Sequence, residues 1–144
     1  MATLYDLMLA AAKHLTGIDV EIRFTTKSAL KAAGCARVDN SGRAVVDLAQ
    51  DVFENTSEED LICFLHELGH VKLHAKGFGR SDTTRAPVWD KPKTEQQAGA
   101  RLLMESQADT LAHAWNNWAA KRAPEPWQNG RSIFENRLTA LLRY

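Results

Sequence analysis

The chain carries no surplus of charge: 18 Lys and Arg stand against 18 Asp and Glu in 144 residues. Without a basic excess, it is not expected to hold a phosphate backbone by itself. Cysteine is scarce. Cys35 and Cys63 are too few for a disulfide framework, and the simplest setting is a reducing, cytoplasmic one. No apolar run approaches the roughly 18 residues that a membrane span requires. The first residues include Asp6, Lys13 and His14 in place of a basic start and an uncharged apolar stretch, so no secretory signal is expected. Internal repeats and low-complexity tracts are also missing. These absences leave a single domain over residues 1–144, long enough to bury a core.

Periodicity supplies the elements. Leu4, Leu7, Met8, Ala11 and Leu15 form one stripe of a helix that Thr16-Gly17 ends. Val20 to Thr25 alternates apolar and polar residues, as a strand with one buried face does. A helical turn is possible over 27–33. Cys35–Asp39 and Arg43–Leu48 flank Asn40-Ser41-Gly42, which predicts a hairpin. Thr56 and Glu59 have capping-box spacing before a helix that runs to about Ala75 and stops at Gly77. Residues 77–93 are broken by glycine and proline and form a long loop, either a rim or lid or a plain surface excursion. Thr94 and Gln97 open the longest helix, to about Arg122, with Ala98, Leu102, Glu105, Asp109 and Ala112 on one face. Pro124 and Pro126 end it, and 131–143 form a last amphipathic helix. The pattern is α+β: a small three-stranded sheet packed on helices.

The chemistry concentrates in Phe64-Leu65-His66-Glu67-Leu68-Gly69-His70-Val71-Lys72-Leu73-His74. His66 and His70 sit one turn apart on one helix face. Two imidazoles so placed can direct nitrogens at one Zn2+ ion. Glu67 lies about 100° round the helix, better placed to hold a water than to join as a ligand. His-Glu-x-x-His is the arrangement zinc peptidases use, two ligands and one general base. Leu61, Ile62, Leu65, Leu68 and Val71 supply apolar neighbours for burial. Cys63, one turn earlier, suits packing better than ligation.

A catalytic zinc takes three protein ligands and keeps one open position. The candidates for the third are His74, His113, Glu105, Asp109 and, less suitably, a cysteine. Glu105 is preferred because it falls mid-helix on the expected packing stripe. Asp109, one turn on, can then accept the second ring N–H of a ligand histidine. His74 cannot converge with His66 and His70 from successive turns of one straight helix, and fits a rim or core position. His113 fits a packed core histidine better than a transition-state donor. His113, Arg101 and Tyr144 are the available oxyanion donors, and His14 a surface residue.

His66-Glu-Leu-Gly-His70-x-x-Leu-His74 followed by Glu105-x-x-Ala108-Asp109 resembles the ImmA/IrrE-type metallopeptidases of the gluzincin group, over about residues 18–115. The resemblance implies a zincin-like domain in which His66, His70 and Glu105 bind zinc, Glu67 activates water and Asp109 supports His66. It also implies a protein substrate, often a transcriptional repressor of a mobile element or a stress-response regulator. Two departures stand out. The family motif usually has Ala-Asn where this chain has Ala108-Asp109, the pairing larger gluzincins use. Many members carry a helix-turn-helix, whereas residues after 123 provide for one helix.

The expected function is therefore hydrolysis of a peptide bond in a specific intracellular protein. The alternatives are a non-hydrolytic binding module stabilised by zinc, and a protease inhibited by its own loop 77–93 or final helix until a partner engages.

Overall fold

The structure, a computed structural model, describes residues 3–26, 34–38, 43–50, 57–75, 95–124, 127–128 and 130–144. Helix α1 spans Leu4–Thr16. Thr3 caps it by accepting the Asp6 N–H at 3.1 Å, while Asp6 accepts the Thr3 N–H at 3.1 Å. At the other end Gly17 turns left-handed at φ 80° and donates to the Lys13 carbonyl, a conformation glycine adopts without a Cβ penalty. Met8, Ala11, Ala12 and Leu15 are the buried face.

Strands β1 (Val20–Thr25), β2 (Gly34–Val38) and β3 (Ala44–Ala49) form a mixed sheet in the order β1-β3-β2. β2 and β3 pair antiparallel, as the hairpin reading expects, with Gly34 opposite Leu48 and Val38 opposite Ala44. β1 pairs parallel to β3 from Val20↔Ala44 to Thr25↔Ala49. The hairpin thus returns the chain into the middle of the sheet and leaves β1 and β2 as its edges. β3 is central, and Ala44, Val46, Leu48 and Ala49 are buried. Phe24, expected on the buried face of β1, is instead 41% exposed and lies 6.4 Å from the Tyr5 ring.

Helix α2 (Glu58–Ala75) is the centre of the core. Leu61, Phe64, Leu65, Leu68 and Val71 are fully buried, and α2 touches α1, β2, β3 and the two helices that follow it. Its start differs from the expected Thr56–Glu59 box, of which Thr56 lies outside the described residues. Ser57 accepts the Asp60 N–H at 3.2 Å and Asp60 accepts the Ser57 N–H at 3.0 Å. Aspartate, like glutamate, can close the reciprocal pair, so the cap sits one residue later. Cys63 is half-buried against the core, and burial beside Glu67 and Asp60 pushes its thiol up to about 11. It is a packed neutral thiol.

Helix α3 spans Glu95–Arg122. Its buried face is Met104, Ala108, Ala112, Trp115 and Ala119, not the expected Ala98–Leu102–Glu105–Asp109–Ala112 stripe; Leu102 is 71% exposed. Over its first half the packing face lies one position earlier in sequence. Glu105 and Asp109 consequently stand on its flank, half-buried and exposed respectively. A short hairpin of β4 (Trp127–Gln128) and β5 (Arg131–Ser132) follows, which the sequence reading does not anticipate. Helix α4 (Ile133–Leu141) starts two residues later than expected, capped by Ser132, whose hydroxyl accepts the Glu135 N–H. Phe134 stacks on Phe64 at 6.2 Å. The expected features at 27–33, 40–42, 77–93 and Thr94 lie outside the described residues. Among the described residues no helix is long and apolar enough to cross a membrane.

Arg137 ties three helices together from a position 4% exposed. Its Nη1 donates to Asn116 Oδ1 at 2.8 Å, its Nε to the Ala123 carbonyl at 3.3 Å, and it pairs with Glu58. Truncation would leave buried acceptors without donors. Arg137→Ala is expected to cost about 2–3 kcal/mol, a fall of roughly 6–10 °C in Tm by calorimetry. The Arg137 hydrogen bond also holds the Glu58 carboxyl below its ordinary value of 4.5. A lowered folded pKa contributes stability above the unfolded value and loses it as pH falls through the folded one. The difference in Tm between the parent and Glu58→Gln should accordingly shrink on acidification below about pH 4.5.

Candidate metal centre

α2 presents His66 and His70 one turn apart, with ring centroids 4.7 Å apart and planes nearly perpendicular. Their Nε2 atoms lie 3.1 Å from each other. Glu105 arrives from α3, 39 residues from His66 in sequence, and bridges the pair. Its Oε2 is 2.9 Å from His66 Nε2 and its Oε1 is 3.2 Å from His70 Nε2. Behind His66, Asp109 Oδ1 stands 2.6 Å from Nδ1. Both rings are largely buried, at 18% and 13% side-chain exposure, while Glu105 keeps 44% and opens the group to solvent.

The donor set suits a cation. With the His66 Nδ1 proton donated to Asp109, its Nε2 carries a lone pair. That lone pair faces a carboxylate oxygen and a second imidazole nitrogen. Burial holds His70 below its ordinary pKa, against the pull of Glu105, and favours the neutral ring with its one lone pair. The two imidazole nitrogens and the two Glu105 oxygens meet in contacts of 2.9–3.2 Å, which either a ring N–H or a cation can bridge. Zinc–nitrogen bonds of about 2.0–2.1 Å place tetrahedral ligands roughly 3.3–3.4 Å apart. These contacts meet that spacing with a shift of a few tenths of an ångström, so His66, His70 and Glu105 fit zinc. His70 Nδ1 is buried without a hydrogen-bond partner among the described residues.

Glu67 occupies a different position. One of its oxygens lies within 4.8 Å of the His66 and His70 donor atoms, yet the residue is only 6% exposed. Desolvation raises its carboxyl to about 7; His66 opposes this and Glu105 adds to it. A divalent cation beside it would draw the value down again.

Two glycines, to which the sequence reading assigns no role, set this geometry. A Cβ on Gly69 would lie 2.9 Å from the Ala108 carbonyl oxygen and 3.1 Å from its Cα. α2 and α3 therefore touch backbone to backbone at that point, one turn or less from all four side chains. A Cβ on Gly34, in β2, would lie 2.9 Å from Glu67 Cγ. For Gly69 the sequence signal is a glycine inside a helix, where it costs about 0.5–1 kcal/mol relative to alanine; Gly34, at the start of β2, carries none.

The remaining candidates lie elsewhere. His74 is half-buried one further turn along α2, about 6 Å beyond His70 along the axis. His113 is exposed, which corrects its expected core placement, and stands about 12 Å from Glu105 along α3. Tyr144 packs edge-on against Trp118 at 5.2 Å, about 20 Å along α3 from Glu105, too far to serve as an oxyanion donor. Arg101 is exposed one turn before Glu105. His14 is a surface residue whose Nε2 lies 3.1 Å from the Tyr144 carbonyl.

Compared with family models, curated proteins and solved structures, the chain matches none.

Two substitutions test the assembly by titration calorimetry with zinc. Asp109→Asn should weaken binding about 10- to 100-fold, the usual loss when the partner of a ligand histidine is removed. Gly69→Ala forces the helices apart and should cost about 1–3 kcal/mol of stability together with weaker zinc binding. Glu105→Ala should abolish retention of zinc through dialysis, and full retention would assign the third ligand elsewhere.

Proposed function

We propose that the chain is a zinc-dependent endopeptidase with a zincin-like domain, acting on a specific intracellular protein. One observation carries the reading: a carboxylate from a second helix bridges the two imidazole nitrogens of a His-Glu-x-x-His helix, while Glu67 stands beside them. A purely structural site needs no such fourth group, and closes its coordination with protein ligands.

His66, His70 and Glu105 would hold the ion, and Asp109 would fix the His66 tautomer. When bound, zinc supplies Lewis acidity and brings a water's pKa to about 7. Glu67 acts as general base, taking a proton from the attacking water at its carboxylate and passing it to the leaving amine nitrogen. Its near-complete burial keeps bulk water from competing for that proton. Glu105, 44% exposed, leaves the group open to solvent on one side.

The substrate class rests on the resemblance of His66–His74 and Glu105–Asp109 to the ImmA/IrrE-type peptidases. It points to a transcriptional repressor or regulator of a phage or mobile element, met in the cytoplasm.

Glu67→Gln should keep one zinc per chain and the parental Tm while hydrolysis of a peptide substrate falls at least about 100-fold. Elemental analysis, calorimetry and a mass-spectrometric cleavage assay read the three quantities. Cleavage at the parental rate would remove Glu67 from the base role. A chelator that lowers Tm in a protein that never cuts, even with its partner present, would make it a zinc-stabilised binding module.

A further inference from the structure

We propose that Gly34 is a positioning residue for Glu67: the bare backbone of edge strand β2 is the seat against which the base's side chain is set. The inference rests on the peptidase reading and deepens it.

Gly34 is the first residue of β2 and already pairs with β3, where glycine gives up side-chain packing and needs a reason. Backbone conformation does not provide it here. Positive φ is found at Gly17 and Gly130 and not at Gly34, so an alanine could adopt the local backbone. Strand pairing does not provide it either, since Gly34 pairs regularly with Leu48. What excludes a side chain is Glu67. A Cβ at position 34 would lie 2.9 Å from Glu67 Cγ and 3.3 Å from its Cδ, with Leu48 Cδ2 in ordinary contact at 3.4 Å. The group that must yield is the glutamate, through its Cγ and the carboxyl carbon itself.

Glu67 has little room to yield into. It is 6% exposed, α2 fixes its Cα, and Leu68, next in sequence, is fully buried. A methyl at position 34 therefore rotates the carboxylate away from where it now approaches His66 and His70. General-base catalysis depends on reach to within about 2.6–3.2 Å of the proton, and misplacement by about 1 Å can cost 100-fold. The three atoms nearest that Cβ belong to Glu67 and Leu48, not to His66, His70 or Glu105, so the ion's site should survive the change. The shared edge of β2 and α2 thus sets the base independently of the seam that sets the ligands.

The test combines kinetics with a melting cycle. Gly34→Ala should lower kcat at least about 10-fold, with KM and zinc content within about two-fold of the parent. In calorimetry Gly34→Ala should lower Tm by a few degrees in the parent background. With Glu67→Ala already in place it should leave Tm unchanged or raise it, because the obstructing side chain is gone and alanine is the better strand residue. Full kcat in Gly34→Ala, with hydrolysis abolished in Glu67→Gln, overturns the proposal and leaves the peptidase reading intact. An equal Tm change in both backgrounds overturns it as well, since the glycine would then serve something other than Glu67. If Glu67→Gln still cuts, the base assignment fails separately, and the melting cycle still decides whether Gly34 seats that side chain.

Discussion

The molecule depends on one close approach. Gly69 in α2 lies against the backbone of Ala108 in α3 with no space for a methyl group between them. His66 and His70 are within a turn of Gly69, and Glu105 and Asp109 within a turn of Ala108. Contact at that pair of residues brings two imidazoles and two carboxylates to hydrogen-bonding distance. A wider helix separation would leave four solvated side chains. The cost is carried by the core around it: Phe64, Leu65, Leu68 and Val71 on α2, with Ala112, Trp115 and Ala119 on α3, are all at most 1% exposed. Burial of that apolar surface holds the helices together and offsets the desolvation of the site's polar groups.

The site itself divides two carboxylates by environment. Glu105 stands on the flank of α3, partly solvated and shared between two imidazole nitrogens. Glu67 is buried beside the same rings, and desolvation pushes it up to about 7. Groups of the same chemistry in such different surroundings differ in how readily they hold a proton, which is the basis of the proposed division into ligand and proton carrier. The arrangement relies on the sheet as well as on the helices. Edge strand β2 lies across α2 at Gly34, so the position of Glu67 answers to a contact separate from the helix seam.

Much of this was legible in the sequence. His-Glu-x-x-His at helical spacing, an apolar helix around it and an acid pair four residues apart on a second helix led to the four residues the structure brings together. The hairpin and the helix ends at Ala75 and Arg122 followed from turn and breaker residues. The rotation of α3 did not. Its stripe can be drawn through Glu105 or through Met104 and Ala108, because small and polar residues alternate there and no strong apolar moment decides. The structure chooses the second, since the alanines permit the close approach to Gly69 and the acids are left accessible at the flank. The parallel pairing of β1 with β3, the β4–β5 hairpin and the two glycine contacts were also hidden. Each depends on which surfaces meet in three dimensions, and local pattern carries no trace of that.

The most direct test of the central claim is an anomalous difference map at the zinc edge from crystals grown with zinc. The account predicts one peak, bound by Nε2 of His66, Nε2 of His70 and the Glu105 carboxylate, with Glu67 outside the bonding sphere and a water in the fourth position. A peak bound by Glu67 with Glu105 turned away, or no peak at these residues under saturating zinc, would contradict it.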